Sequence, residues 1–289
     1  MRAGRLGGAV VALALMGGAA AAESGTSEPP PQRVVALDHC ADQYLLALAD
    51  PGQIAALSPD ATAPFSYQAG AAADLPRSPP KAETLVMARP DRVLRLWGGE
   101  PGTRALLERQ DIPVTQLAHG TGLDIARENL RRAGDALGAP EAAQRLIARM
   151  DRRLARAERR RPAPAQRLRA VYVTPGGATA GAGTFIDAML RAAGLRNVAA
   201  EAGRQGWHSL DLERLALDPP DVIVGGFFGD PGTDAGERPD YWSIARHAFL
   251  RRQMDTIPFI SLPGRLLTCQ AWYITEAVAR IQDRLALLP

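Results

Sequence analysis

Lysine is almost missing from this 289-residue chain: Lys81 is the only one among 34 lysines and arginines. Such uniform use of arginine reads as a preference for GC-rich codons, so an arginine by itself marks no site. Long apolar runs are also missing. The stretch Ala9 to Met16 is too short to span a bilayer, and no later stretch has the length and apolarity of a transmembrane helix. There is no HxxxH, no CxxC and no histidine-rich loop, so the usual spacings of a metal site are absent. The chain also lacks G-x-G-x-x-G, G-x-x-x-x-G-K-[ST] and G-x-S-x-G. That removes the ordinary motif grounds for a dinucleotide enzyme, a P-loop enzyme or a serine hydrolase.

What is present begins with an export signal. Arg2 and Arg5 precede the apolar run, and Ala20-Ala21-Ala22 supplies small residues before Glu23. Residues 1–22 are therefore expected to be a signal peptide. No cysteine stands at the cleavage site, which argues against a lipid anchor. Without Arg2 and Arg5 the basic residues fall from 34 to 32 against 31 acidic ones, a net charge of +1. A nucleic-acid partner is not expected of an exported protein so balanced. Ten arginines crowd residues 145–169, and these are read as a solvated helix face. Hydrophobic residues make up 46% of the chain, enough for a sizeable core. The two cysteines, Cys40 and Cys269, are either a disulfide, which export permits, or two thiols able to ligate a soft metal.

Short β-rich runs alternate with helical patterns, which predicts parallel α/β layers. RVVAL (33–37), IAALS (54–58), VLRLW (93–97) and IPVTQL (112–117) are the expected strands of a first series. RAVYVT (169–174), the run after Pro220-Asp221 and IPFISLP (257–263) belong to a second. Between them, residues 141–161 carry Leu146, Ile147, Met150, Leu154 and Ala157 at helical spacing, a long amphipathic helix. One template recurs 130 residues apart: Glu83-x-Leu85-x4-Pro90-Asp91 and Glu213-x-Leu215-x4-Pro220-Asp221. Packing accounts for the leucines, and a turn for Pro-Asp. An acid in the first helical turn suits the helix dipole, yet packing alone does not ask for Glu83 and Glu213 at matching places. Asp42 and Asp187 likewise open matching helices, each three residues ahead of a leucine, so the template sits inside a larger repeat of two lobes.

RVVALDHCADQYLLALADPGQIAALS, ETLVMARPDRVLRLWGG, GTFIDAMLRAAGLRNVAAE, WHSLDLERLALDPPDVIV and PGRLLTCQAWYITEAVARI, in that order around a long central helix, resemble class III periplasmic substrate-binding proteins of cobalamin and ferric-siderophore ABC importers. The resemblance spans most of the chain after residue 23. It implies an α/β fold of two Rossmann-like lobes bridged by one long helix, with the ligand in the cleft between them. The expected divisions are a signal peptide at 1–22, an N-terminal lobe at 23–138, a linker helix at 139–164 and a C-terminal lobe at 165–289. It also implies a periplasmic monomer without a cofactor or catalysis, delivering a metal chelate to an ABC permease dimer at the inner membrane. Glu83 and Glu213 fall where the cobalamin-binding relative docks on permease arginines.

The ligand contacts expected at strand ends and loops are His39, Cys40, Tyr67, Trp97, Gly98, His119, Trp207, His208, Phe228 and Trp272. Aromatic walls suit a large flat chelate. Two alternatives stay open. His39, His119 and His208, with an Asp or Cys, could hold bare zinc or manganese. The glycine-rich loop from Gly176 to Gly183 could cradle a phosphate in an exported hydrolase. A disulfide between Cys40 and Cys269 would tie the lobes across the cleft, if their Cα atoms come within about 7 Å.

Overall fold

The computed structural model describes residue 1 and residues 33–228 and 248–288. The signal segment, the proline-rich leader up to residue 32 and Trp242 lie outside the described residues.

Two four-stranded parallel sheets organise the chain. The first uses β1 (Val34–Ala36), β2 (Ile54–Ala56), β3 (Arg92–Arg95) and β4 (Val114–Gln116), in the order β2-β1-β3-β4. Its helices are α1 (His39–Leu48), α2 (Ala82–Ala88), α3 (Thr103–Arg109) and α4 (Asp124–Leu137). Then α5 (Pro140–Arg159) leads to the second half. There follow β5 (Arg169–Val173), β6 (Ala178–Ala180), α6 (Phe185–Ala192), β7 (Arg196–Asn197), α7 (Val198–Glu201), β8 (Trp207–Ser209), α8 (Leu212–Leu217), β9 (Val222–Gly226), α9 (Ala248–Thr256), β10 (Phe259–Leu262) and α10 (Ile274–Leu285). The second sheet runs β10-β9-β5-β7, so in each half the first strand lies between the second and the third. That order places a switch point beside β1 and beside β5, at whose carboxyl ends ligands collect in open α/β sheets.

The repeated template closes each lobe in the same way. Arg33 N donates to Asp91 Oδ2 at 2.9 Å while Asp91 N donates to the Arg33 carbonyl. Arg169 N donates to Asp221 Oδ2 at 2.6 Å while Asp221 N donates to the Arg169 carbonyl. The Pro-Asp turn thus pins the start of each lobe's first strand. Leu85 and Leu215 are buried in matching outer clusters, with Val35, Val93 and Leu107 in one and Val171, Ile223 and Leu250 in the other. Strand alternation sends Val34 and Ala36 the opposite way, into a main core shared by both lobes and by α4, α5 and α10. Two further acids match: Asp42 accepts from Ser58 N and Oγ beyond β2, and Asp187 accepts from Asn197 Nδ2 at the end of β7.

The arginine-rich helix α5 is partly paired. Arg153 meets Glu276 at 2.9 Å and Arg160 meets Asp283 at 2.8 Å, both on α10. Among the described residues no helix is long and apolar enough to cross a membrane.

The structure departs from the sequence reading in three places. Helix α1 starts at His39, not Asp42, because Asp38 caps it. The glycine-rich loop contains β6, which pairs antiparallel with β8. The segment NVAAE holds the short helix α7.

Candidate functional site

The carboxyl end of β1 leads straight into Asp38, and this residue builds the first wall. Asp38 is buried, and its Oδ1 accepts from Ala41 N at 2.9 Å, capping α1. Its Oδ2 accepts from Leu96 N, Trp97 N and Gly98 N at 2.8, 3.0 and 2.9 Å. One carboxylate therefore fixes both the entry of α1 and the loop that follows β3. Gly98 completes this junction: a Cβ there would lie 2.2 Å from the Leu37 carbonyl oxygen, so only glycine lets the loop approach. Trp97, held between them, keeps half of its surface open.

Facing it, β8 presents Trp207, also 56% exposed, with its ring edge-on to Tyr172 at 5.9 Å. Thr184 caps α6 by accepting from Asp187 N, which sets the amino end of α6 at the same opening. A cavity of about 330 Å³ lies between, lined from the first lobe by Cys40, Trp97 and His119 and from the second by Thr184, Trp207 and Cys269. Gln270 crosses it, accepting from Gly120 N at 3.0 Å and donating to the Gly120 carbonyl at 2.6 Å. The cleft is thus walled by indoles from both lobes, and its floor is stitched.

Cys40 and Cys269 are bonded on that floor, with their Cα atoms 5.5 Å apart. His39 stands beside them, edge-on to Phe65 at 5.2 Å and to Trp97 at 5.6 Å, with both ring nitrogens buried and unpartnered. Burial depresses its pKa below the usual histidine value, against the opposing pull of Asp38 and Asp60.

Several expected contacts stand elsewhere. Trp272 is a core residue, 6% exposed and edge-on to Tyr44 and Tyr273 at 5.3 Å. Tyr67 stacks on Tyr273 at 4.0 Å and donates to Glu276 Oε1 at 2.7 Å, so it joins the lobes instead of lining the cavity. Its phenol is pushed up to about 12, mainly by burial and then by Glu276. Phe228 packs on Phe259 in the outer cluster of the second lobe. Gly98 serves the close approach just described and does not line the cavity. His208 lines a different cavity from His119, so the three histidines do not converge as a metal site. Among the described residues the one cluster with metal-ligand spacing is His39 with Cys40 and Cys269, and its sulfurs are bonded to each other.

Glu83 and Glu213 are both exposed, each in the first turn of its helix, α2 or α8. Asp38 is the site residue the sequence reading missed. An Asp directly before an apolar helical run is an N-cap signal, but its second role depends on a loop 58 residues away.

Comparison with known proteins gives the arrangement a context. The family model described as periplasmic binding protein matches residues 34–230. A cobalamin-binding protein of Halobacterium salinarum is 31% identical over 203 residues, covering 69% of this chain and 55% of that protein. The chain thus spans about half the length of that curated relative. The solved periplasmic heme-binding protein BhuT, in complex with two hemes, is 25% identical with a TM-score of 0.66, covering 88% of this chain and 98% of that one. The vitamin B12 binding protein BtuF of Vibrio cholerae shares the fold at 17% identity and a TM-score of 0.65, covering 89% and 98%.

Proposed function

Because this chain belongs to the periplasmic binding protein family, we propose that it captures a metal chelate, cobalamin or a ferric siderophore, and hands it to an ABC importer. The observation that carries this reading is the pair of half-exposed indoles, Trp97 and Trp207, facing one cavity from opposite lobes. Flat or macrocyclic ligands gain most from such walls, and a cleft between lobes is a favoured place for them. The likeness to cobalamin- and heme-binding proteins supports the same ligand class. The protein binds and releases its ligand without altering it, and does so in the periplasm after loss of residues 1–22. Its partner is a two-fold permease. Glu83 and Glu213, one on each lobe, supply two acidic pegs for basic residues on the two halves of that partner, and such pairing sets orientation and encounter rate.

Calorimetric titration of residues 23–289 with cobalamin, a ferric hydroxamate, a ferric catecholate, heme and zinc tests the reading. One chelate should bind near one-to-one below micromolar concentration. Tight binding of zinc with no response to any chelate would overturn it.

A further inference from the structure

Helices α2 and α8 carry the glutamates of the repeated template, and each carries a second matched feature. Met87 follows Glu83 by four residues, and Leu217 follows Glu213 by four. Apart from the terminal Met1, these are the two most exposed large hydrophobic side chains among the described residues, Met87 at 81% and Leu217 at 87%. Neither joins the outer cluster that buries Leu85 or Leu215, two residues earlier on the same helix. Residues four apart stand on one face of a helix, about 5–6 Å apart at Cβ. Each lobe therefore presents the same pair: a carboxylate and, one turn on, an apolar side chain.

A single exposed apolar side chain needs no explanation. Two at equivalent places in two lobes, each beside an equivalent acid, call for a common cause. Folding does not supply one, since both side chains are left in water. An anionic lipid surface is a poor occupant, because it would repel Glu83 and Glu213. A second copy of this chain is a poor one too. Any pairing of these patches would set glutamate against glutamate, and like charges facing across an interface oppose association. The occupant that fits is a protein with basic side chains next to apolar hollows, presented twice, once for each lobe. A two-fold permease is such a partner.

We propose that Met87 and Leu217 are apolar anchors of the permease contact, each seated beside the basic residue that meets Glu83 or Glu213, a role that rests on the docking of these glutamates proposed above. The two contributions differ in kind. The charges set orientation and encounter rate, whereas the apolar pair holds the docked complex by leaving water. Attraction between exposed charges fades as salt rises; apolar burial does not.

A photo-crosslinking residue in place of Met87, and separately in place of Leu217, in the full chain in its own cells should trap the same multi-span membrane protein. The importer containing that protein, held in lipid nanodiscs, is then the probe for affinity. Met87→Ser and Leu217→Ser should each weaken binding to it about tenfold, and the double variant should be weaker still. That loss should persist from about 0.05 to about 0.5 M salt, whereas the loss caused by Glu83→Gln with Glu213→Gln should shrink. Thermal midpoints should not move, because neither apolar side chain packs in a core cluster. Full affinity in the Met87→Ser, Leu217→Ser double variant, with the glutamate variant weakened, would overturn the anchors and leave the acidic pegs standing. The reverse result would remove the pegs and support the apolar contact. Crosslinks to a second copy of this chain, or to no membrane protein, would overturn both.

Discussion

Cys40 and Cys269 lie 229 residues apart in the chain and are bonded, with their Cα atoms 5.5 Å apart. The bond joins the first turn of α1 to the loop before α10, on the floor of the cleft. Neighbouring contacts reinforce it: Tyr44 Oη donates to the Gln270 carbonyl at 2.8 Å, and Thr268 Oγ1 donates to the Phe65 carbonyl at 2.9 Å. Closing so long a loop restricts the unfolded chain strongly. Replacing both cysteines by serine should therefore cost about 2–5 kcal/mol. Thermal unfolding of the variant, and of the unaltered protein with a thiol reductant, should show the same lowered midpoint. Unchanged midpoints would contradict the account.

Asp38 ties α1 to the loop of Trp97. Asp38→Ala leaves the N–H groups of Ala41, Leu96, Trp97 and Gly98 without their acceptor, and should destabilise the fold by about 2–5 kcal/mol. It should also weaken chelate binding, because the indole loses its support. Denaturant unfolding checks the first effect and ligand titration the second; native stability in the variant would refute the role.

Asp42 makes stability depend on pH. Its carboxyl is raised from 3.8 to about 7, chiefly by burial, with smaller contributions from Asp38 and Asp60 and an opposing one from Ser58. The folded state holds this proton more tightly than the unfolded state does. The stabilisation is therefore fully present below about pH 4 and is lost as pH rises through about 7. Its size is on the order of 4 kcal/mol at about 1.4 kcal/mol per unit. Asp42→Asn can keep both contacts to Ser58 and cannot titrate. Denaturant midpoints measured from pH 4 to 8 should decline less in the variant; identical slopes would contradict the assignment.

Glu83 and Glu213 are exposed, and neither lines the cavity between the indoles. Changing both to arginine should abolish ligand uptake through the permease while leaving chelate affinity unchanged. Transport assays in reconstituted vesicles, paired with titration, separate the two effects. Normal uptake by the double variant would remove the docking role.

Much of the fold was legible because repetition is a sequence property. The template around Glu83 and Glu213, with Asp42 and Asp187, revealed two like halves, and the same Arg–Asp hydrogen-bond pair closes both. The site was harder to read. Trp97 follows β3 and Trp207 opens β8, so strand-end reasoning reaches both positions. Trp272 looked equivalent, but whether an aromatic faces a cleft or a core depends on how α10 packs, which no local pattern encodes. The antiparallel pairing of β6 with β8 is hidden in the sequence because β6 is only ATA within a glycine-rich run, and short strands there resemble loops. His208 was assigned to the cleft with Trp207, yet adjacent strand residues face opposite ways.

The two indoles remain the centre of the account, and the most direct measurement is chelate affinity in Trp97→Ala, Trp207→Ala and the double variant. Large aromatics in a desolvated contact commonly carry more than about 1.4 kcal/mol, or tenfold. Each single change should weaken binding of the chelate about tenfold or more, with the double variant weaker still and all three folded. Affinity unchanged in the double variant would contradict the account and place the ligand elsewhere.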